Sequence, residues 1–276
     1  MLNFIFWDPA REMFSFNLPF LERPILWYGF FFALGFLLGY FLLVYLLKRF
    51  VPSKIAKDLA ERALVYGVIG VIVGARLGDV LFYQDWHTLR LHPWTILQPW
   101  QGGLASHGGA LGLVIAFAFF FKKEKARLPD LSFLGFLDFI CLPAAIIGGF
   151  IRIGNFFNQE ILGTPTTLPI GIVFGHPADG SLPLARHPVQ LYEASFYFLL
   201  ALIFFIRKKD LGTKRQGRTL GLFLTLVFGF RFLIEYVKTE QSVLMGTQDL
   251  LTMGQILSVP FFLAGLFLLY KTKKAR

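Results

Sequence analysis

Charged side chains and cysteine are both scarce in this sequence. Only 16% of the 276 residues are charged, whereas a soluble domain carries about a quarter. Cys141 is the one cysteine, and no Cys/His spacing typical of a metal site is present. The first residues lack a basic start and a small-residue cleavage site, so we expect no cleaved signal peptide. With no repeat of solenoid period either, the sequence excludes an intramolecular disulfide, a cysteine-based metal centre and a repeat array.

Long apolar runs take the place of those features. Residues 25–47 carry no charge over 23 positions, enough to cross about 30 Å of hydrocarbon at about 1.5 Å per residue. Residues 250–270 form a second such run, and five more apolar stretches lie between them. We therefore predict an all-α integral membrane protein with about seven transmembrane helices. The predicted spans are 25–47, 63–84, 104–121, 131–151, 189–206, 219–238 and 254–270.

Lysine and arginine cluster beside these runs. Four segments hold 19 of the 27 basic residues, and all four lie on one face if seven spans alternate; they are 48–62, 122–127, 207–218 and 271–276. The positive-inside rule places that face in the cytoplasm, with the N-terminus outside and the C-terminus in the cytoplasm. Topology thus accounts for the net charge of +10, and we expect no nucleic-acid partner.

Two segments outside the spans have their own character. Residues 1–24 are rich in aromatic side chains and are predicted to form an N-terminal interfacial arm. Residues 152–188 contain five prolines, a strand-like run from Ile170 to Phe174 and a turn signal at Asp179-Gly180; they predict a small extracytoplasmic head. We treat residues 25–276 as one seven-helix membrane domain that includes this head.

Several charges lie inside the predicted spans, where a charge at the bilayer centre costs roughly 2.5–3.5 kcal/mol. Arg76 and Asp79 are three residues apart, and Arg231 and Glu235 are four apart. Each pair shares a helix face and can neutralise itself, so a purely structural role is one interpretation. For Asp138, nearer the cytoplasmic end of its span, we predict a structural hydrogen bond.

The predicted topology favours a functional site over independent structural pairs. The outer ends of five spans carry polar side chains, which are Arg76 with Asp79, His107, Arg152, Glu193, and Arg231 with Glu235. Arginine matches phosphate bidentately and keeps its charge in an apolar setting. Because phospholipid headgroups are the anions at that depth, we predict a lipid-phosphate site that uses Arg76, Arg152 and Arg231.

Single residues also permit structural interpretations. His107, within Ser106-His107-Gly108-Gly109, could hydrogen-bond a backbone carbonyl, and Tyr28 could belong to an interfacial aromatic belt. Arg152, Asn155 and Gln159 have helical i, i+3, i+7 spacing, which fits either a capped helix end or a polar wall.

The run from Arg152 to Gly163 closely resembles the signature of the bacterial prolipoprotein diacylglyceryl transferases. Other stretches resemble the same family in the same order and extend the resemblance over nearly the whole chain; they are Trp27-Tyr28-Gly29, residues 102–109, Arg186-His187-Pro188, Gln190-Leu191-Tyr192-Glu193, residues 231–235 and Met253-Gly254-Gln255. Two positions depart from the family pattern. Ile151 stands where the family usually has glycine, and Asp79 where it often has an aromatic residue.

The resemblance implies an enzyme that transfers the diacylglyceryl group of phosphatidylglycerol to the lipobox cysteine thiol of a prolipoprotein. A thioether forms and glycerol phosphate leaves, in the first step of bacterial lipoprotein maturation. The implied enzyme is a multi-pass protein of the bacterial cytoplasmic (inner) membrane and uses no cofactor or metal. Its implied partners are phosphatidylglycerol, the prolipoprotein signal peptide and membrane lipids.

The resemblance also implies roles for individual residues. Arg152 would contact the phosphatidylglycerol phosphate, Arg231 would be a second phosphate or leaving-group ligand, and His107 matches the family's essential histidine. We assign catalysis to His107, Arg152, Arg231, Tyr28 and Glu235. We assign substrate binding to Arg152, Arg76, Asn155, Glu160, Gly163 and Glu193. The general base stays open between His107 and a buried glutamate, Glu160 or Glu235.

Two other functions also use charged residues inside membrane helices or a polar active site in the membrane. An anion transporter would also hold Arg and Glu inside helices, but it predicts an inverted internal repeat and interrupted helices near the midplane, and no such repeat is found. An intramembrane protease needs a Ser–His or paired-Asp arrangement, and none has usable spacing.

Overall fold

The computed structural model describes residues 4–14, 24–98, 103, 105–212, 215–239 and 251–274. The helices are α1 Trp27–Leu47, α2 Ser53–Phe82, α3 Trp86–Leu91, α4 Ser106–Glu124, α5 Phe133–Phe157, α6 Val189–Ile206, α7 Arg218–Ile234 and α8 Met253–Lys274. The strands are β1 Ile5–Trp7, β2 Glu12–Phe14, β3 Ile25–Leu26, β4 Ile172–Phe174 and β5 Ala185–Arg186. Short 3-10 turns are Pro93–Leu97, Lys125–Arg127, Lys208–Asp210 and Glu235–Val237.

Six of these helices are long and apolar enough to cross a membrane, namely α1, α2, α5, α6, α7 and α8. The chain is therefore a mostly helical, multi-pass membrane protein. Helix α4 coincides with the remaining predicted span, 104–121, but it is less apolar because His107 lies in its first turn and Lys122 and Lys123 in its last. Seven spans, and the orientation that depends on that number, stay predictions.

Helix α2 differs most from its predicted span. It begins at Ser53, ten residues before the predicted start at 63. The additional turns carry Lys54, Lys57, Asp58 and Arg62 among alanine and leucine, which are strong helix formers. The charges marked a boundary of the apolar run, but they do not interrupt the backbone hydrogen bonds of the helix.

The chain divides into two compact units, here named the central unit (Leu43–Phe136) and the terminal unit (Met1–Leu42 with Leu137–Arg276). In the central unit, α2 packs on α4 through glycines of both helices. A Cβ at Gly112 would overlap with the carbonyl oxygen of Gly70, and one at Gly74 would overlap with that of Gly108. Such close backbone approach through small residues is typical of helix pairs in membranes, where van der Waals packing replaces the hydrophobic effect.

The terminal unit contains a small three-stranded sheet of order β1-β4-β5. β1 pairs in parallel with β4, and β4 pairs antiparallel with β5. One face covers a buried cluster of Phe156, Leu162, Ile172 and Phe174. The predicted strand-like run from Ile170 to Phe174 therefore contains β4. The N-terminal segment contributes a strand to this sheet, while the placement of residues 1–24 at the interface and of 152–188 outside the membrane stays a prediction.

Asp138, 2% exposed on α5, caps the N-terminus of α7. Its two carboxylate oxygens accept hydrogen bonds of 2.7 Å from the backbone amides of Gly217 and Leu220. Gly217 has a φ of 92°, a left-handed conformation that glycine adopts without strain. These bonds confirm the predicted structural hydrogen bond of Asp138 and satisfy amides that a helix start leaves without intrahelical partners.

Replacing this cap gives a test of the fold. Asp138→Ala removes both acceptors, and we expect a loss of about 1–2 kcal/mol in unfolding free energy, the usual cost of a lost helix cap. Asp138→Asn keeps one oxygen acceptor and should fall between the Ala variant and the parent protein. Thermal unfolding of the purified protein in detergent measures the difference, and an Ala variant as stable as the parent would contradict the capping role.

Candidate functional site

The signature run from Arg152 to Gly163 starts on the last turns of α5 and continues into a strained reversal. Gln159 and Ile161 have φ values of 54° and 55°, in the left-handed region that non-glycine residues rarely adopt. Gln159 is 2% exposed and is held at both ends of its amide. Its Oε1 accepts from the backbone amide of His176 at 2.7 Å, and its Nε2 donates to Asp8 Oδ1 at 3.3 Å. Asp8 and His176, which follow β1 and β4, thus hold a backbone conformation that a free loop would not keep.

This reversal brings Glu160 back onto the end of α5. The carboxylate of Glu160 accepts hydrogen bonds from Asn155 Nδ2 at 2.9 Å and from Asn158 Nδ2 at 2.8 Å. Asn155, 4% exposed, in turn accepts from Arg152 Nη1 at 3.1 Å through its Oδ1. The amide of Asn155 therefore links the guanidinium to the carboxylate, which orients both groups without direct contact between their charges.

Glu193, in the second turn of α6, anchors the other side of Arg152. Its Oε2 lies 3.1 Å from Arg152 Nε, and its Oε1 accepts a hydrogen bond of 2.9 Å from Lys238 Nζ. Lys238 also lies 3.6 Å from Glu235 Oε2. Glu193 and Lys238 have side chains that are 5% and 7% exposed, so these charges are paired where water is nearly absent. The result is a continuous polar network from Glu160 through Arg152 and Glu193 to Glu235.

Arg152 keeps donor capacity within this network. Its Nε faces Glu193 and its Nη1 donates to Asn155, while Nη2 has no hydrogen bond or ion pair with any residue that the structure describes. The side chain is 15% exposed. A guanidinium held on one edge and open on another can donate to an incoming oxyanion with little reorganisation.

Arg231 lies in the last turn of α7, and its predicted pairing with Glu235 is wrong. The α-helix ends at Ile234, and Glu235–Val237 form a 3-10 turn, in which side chains three residues apart are aligned. Glu235 therefore faces Lys238. In the described part of the chain the Arg231 side chain has no hydrogen bond or ion pair. It is close enough to Tyr197 to interact with it electrostatically, as are Arg152 and Glu193.

Two glycines permit close approach around the network. The ring of Tyr28 lies against Gly154, where a Cβ would come within 2.9 Å of Tyr28 Cδ2, and Tyr28 is in the electrostatic range of Arg152 and Glu160. A Cβ at Gly163 would overlap with the backbone of His187. The Gly163 carbonyl accepts hydrogen bonds from Thr239 Oγ1 at 3.0 Å and Arg186 Nη1 at 3.3 Å, so Gly163 ties the signature run to the segment after α7.

The central unit carries His107 and Arg76. His107 is half-buried in the first turn of α4, with its ring 5.4 Å from that of Phe82 and 5.8 Å from that of Tyr83. It lies in the wall of an apolar cleft of about 850 Å³ between α2 and α4. Among the described residues, no hydrogen bond of its imidazole is formed, so the structural interpretation of His107 as a carbonyl-bonded core residue gains no support.

Arg76 is enclosed by acceptors from its own unit. Its Nε donates to the carbonyl of Ile96 at 3.1 Å, Nη1 to that of Gly103 at 3.2 Å, and Nη2 to that of Thr95. Nη1 also lies 3.3 Å from Asp79 Oδ2. The predicted Arg76–Asp79 pairing is confirmed, and the guanidinium connects α2 to the segment that leads into α4. These contacts favour a structural role; the predicted role of Arg76 as a substrate ligand stays a prediction.

Comparison with known proteins agrees with the motif at the centre of this network. The prolipoprotein diacylglyceryl transferase family matches residues 15–271. The chain belongs to this family. This membership supports a transferase and gives no support to the transporter or the protease.

Relatives named phosphatidylglycerol–prolipoprotein diacylglyceryl transferase align over almost their whole length. The protein of Tolumonas auensis is 42% identical, with 91% of this chain and 92% of the relative covered. That of Chloroherpeton thalassium is 41% identical, with 99% and 96% covered. That of Protochlamydia amoebophila is 35% identical, with 98% and 95% covered. The family likeness therefore extends to both units.

Lys238 and Gln159 are two residues of the site whose roles no motif in the sequence indicated. Lys238 is the last residue of the predicted span 219–238. Its position three residues after Glu235 was the one feature of the sequence that could have predicted their contact. The spacing of Gln159 from Arg152 fits a continued helix, whereas its backbone is left-handed and its amide holds the turn. Neither contact partner, Glu193 or Asp8, is near in sequence.

The two interpretations of Arg76 predict different results for Arg76→Met. If Arg76 is structural, removing donors from three carbonyls and unpairing Asp79 should lower the unfolding free energy by about 3–5 kcal/mol. Arg90→Met, at an exposed site in the same unit, is the matched control and should be near neutral. Thermal unfolding in detergent and a donor-lipid binding assay measure the two effects; unchanged stability with lost donor binding would support the ligand role instead.

Proposed function

We propose that this chain transfers the diacylglyceryl group of phosphatidylglycerol to the lipobox cysteine thiol of a prolipoprotein, the first step of lipoprotein maturation. The observation that carries the proposal is the signature run of the family folded into a buried network around Arg152, whose Nη2 has no described partner. The enzyme acts on a lipid donor and on a membrane-bound signal peptide. A multi-pass protein of the bacterial inner membrane fits both substrates.

The reaction breaks one bond on each substrate and forms one between them. The thiol loses its proton to a base, since the thiolate is the nucleophile. Sulfur then bonds to the glycerol carbon that bears the phosphate. The carbon–oxygen bond at that phosphate breaks, and its electron pair leaves with glycerol phosphate. The products are a thioether and glycerol phosphate, with no oxidant, reductant or metal consumed.

Negative charge on the phosphate is the feature that the site must stabilise. We assign this to Arg152 and Arg231, because a guanidinium donates two parallel N–H bonds to a phosphate and keeps its charge away from water. Asn155 and Glu193 hold Arg152 in place before the substrate arrives. Donors that are already oriented need no reorganisation as charge develops on the leaving group.

The carboxylates set the charge balance of the network. Glu193 and Glu235 offset Lys238 and Arg152. Glu160 adds a third carboxylate to the network, and Arg231 offsets it, so an anionic donor adds to a set of charges that is close to neutral. Tyr28, beside Arg152 and Glu160, completes the proposed catalytic set, and Gly163 maintains the backbone geometry around it. These roles are our proposals from contacts and family position.

The general base is assigned from family position and chemistry. His107 matches the histidine of the family pattern, and its imidazole has no hydrogen-bond partner in the described part of the chain, which leaves it free to accept a proton. Glu160 and Glu235 are the carboxylate candidates in the terminal unit. Each carboxylate oxygen of Glu160 already accepts a hydrogen bond, from Asn155 or Asn158. His107 is therefore the preferred base.

Arg152→Lys tests the phosphate role. Lysine keeps the charge but presents no planar fork and cannot reach Glu193, Asn155 and phosphate together, so we expect more than tenfold lower transfer. The assay uses a lipobox peptide and phosphatidylglycerol in mixed micelles. Arg207→Lys, at an exposed position, is the matched control and should keep the parent rate; near-normal turnover by Arg152→Lys would refute the proposed role.

His107→Gln tests the base. If His107 takes the thiol proton, the variant should lose most activity and also the acid limb of the pH–rate profile. The same assay over a pH series measures both quantities. A parent-like profile would eliminate His107 and direct attention to Glu160 and Glu235, whose Gln variants then become the decisive comparison.

A further inference from the structure

The ends of α6 and α7 opposite the proposed transfer site form a second arginine-rich pocket. It has a volume of about 370 Å³, and its polar lining includes Arg207, Arg215, Arg218 and Asp210. We name it the basic pocket. Phe204, Leu211 and Leu222 provide apolar walls. All of these residues belong to the terminal unit.

Position separates the basic pocket from the transfer site. On α6, Glu193 and Arg207 are 14 residues apart, about 21 Å along the axis. On α7, Arg218 begins the helix and Arg231 lies in its last turn. Both helices are long and apolar enough to cross a membrane. A lipid that reaches the basic pocket therefore lies in the leaflet opposite the lipid at Arg152.

In the described lining of the basic pocket, three arginines face one acidic side chain. Asp210 accepts hydrogen bonds of 3.2 Å from Arg207 Nε and Nη2, which pairs one arginine with the one acidic side chain of the lining. The side chains of Arg215 and Arg218 are half-buried and form neither a hydrogen bond nor an ion pair with any described residue. Two partly desolvated guanidiniums beside one cavity favour a bidentate anion, and phosphate fits that geometry.

The helix start does not compete for this anion. Asp138 already caps the amides of Gly217 and Leu220 at the N-terminus of α7, so the anion preference rests on the arginines. The apolar walls favour the phosphate of a lipid over a free phosphate ion. Phe204 and Leu222 line the pocket near the ends of two apolar helices, where an acyl-glycerol can continue from the headgroup but a free phosphate gains nothing.

We propose that the basic pocket binds the phosphate of an anionic phospholipid in the leaflet opposite the transfer site. This lipid is a bound structural partner and not the diacylglyceryl donor. Basic pockets between transmembrane helices recognise lipid headgroups by the same chemistry. The proposal depends on α6 and α7 spanning the bilayer and is independent of the transferase activity.

The test uses the full-length protein in detergent, titrated with phosphatidylserine and followed by native mass spectrometry. Phosphatidylserine is anionic but is not the proposed donor. The parent protein should show saturable binding that Arg215→Gln/Arg218→Gln weakens roughly 25-fold, since each basic residue near a headgroup contributes about a factor of five. Arg215→Gln alone should give a smaller loss and keeps the test available if the double variant folds poorly.

Two matched controls distinguish binding at the basic pocket from nonspecific attraction between a basic protein and an anionic lipid. Lys271→Gln/Lys273→Gln removes the same charge from exposed positions at the end of α8 and should leave phosphatidylserine binding unchanged. Transfer activity of the pocket variants in mixed micelles should also stay at the parent level. Equal weakening in the lysine variant, or no weakening in the arginine variant, would overturn the proposal.

A final comparison distinguishes the two sources of phosphate. Millimolar inorganic phosphate should not displace phosphatidylserine from the parent protein, because it lacks the acyl-glycerol that contacts the apolar walls. Displacement by inorganic phosphate would show a free-phosphate site and would overturn the assignment to a lipid.

Discussion

The buried carboxylate of Glu193 is the contact on which the polar part of the terminal unit depends. At 4% exposed it is too costly to hold unpaired, and it therefore requires cations on both sides. Arg152 from α5 and Lys238 from the segment after α7 meet that requirement. Three parts of the chain are thereby fixed around one anion. These contacts orient the Arg152 guanidinium but leave its Nη2 without a described hydrogen-bond partner. An oriented guanidinium with N–H donors to spare is suited to bind a phosphate.

Charges at the ends of apolar helices give the terminal unit two distinct polar regions. At one end of α6 and α7 lies the network of Glu193, Lys238 and Glu235. At the other end lies the basic pocket with Arg215 and Arg218. The cost of placing a charge in hydrocarbon confines both to the ends, while the middle of each helix remains apolar. The two regions differ in chemistry because one is internally paired and the other has surplus cations.

Sequence reasoning located the helices closely, since an apolar run long enough to span a bilayer admits few alternatives. It placed the start of α2 too late because the charges around Asp58 marked the end of the apolar run but not the end of the helix. It paired Arg231 with Glu235 by α-helical spacing, although the change to a 3-10 turn after Ile234 aligns Glu235 with Lys238 instead. Local geometry decided that pair, and hydropathy contains no signal for it.

The sequence by itself determined the membrane class, the approximate positions of the helices and the family, because apolar length and the motif from Arg152 to Gly163 are written in consecutive residues. Only the tertiary structure decided which charge meets which partner. Lys238 reaches Glu193 across 45 residues, and Gln159 reaches Asp8 across 151. Burial makes each such contact specific, since an unpaired charge or amide in an apolar interior is costly. The partners, however, are far apart in the sequence and have no regular spacing, so no sequence pattern predicts them.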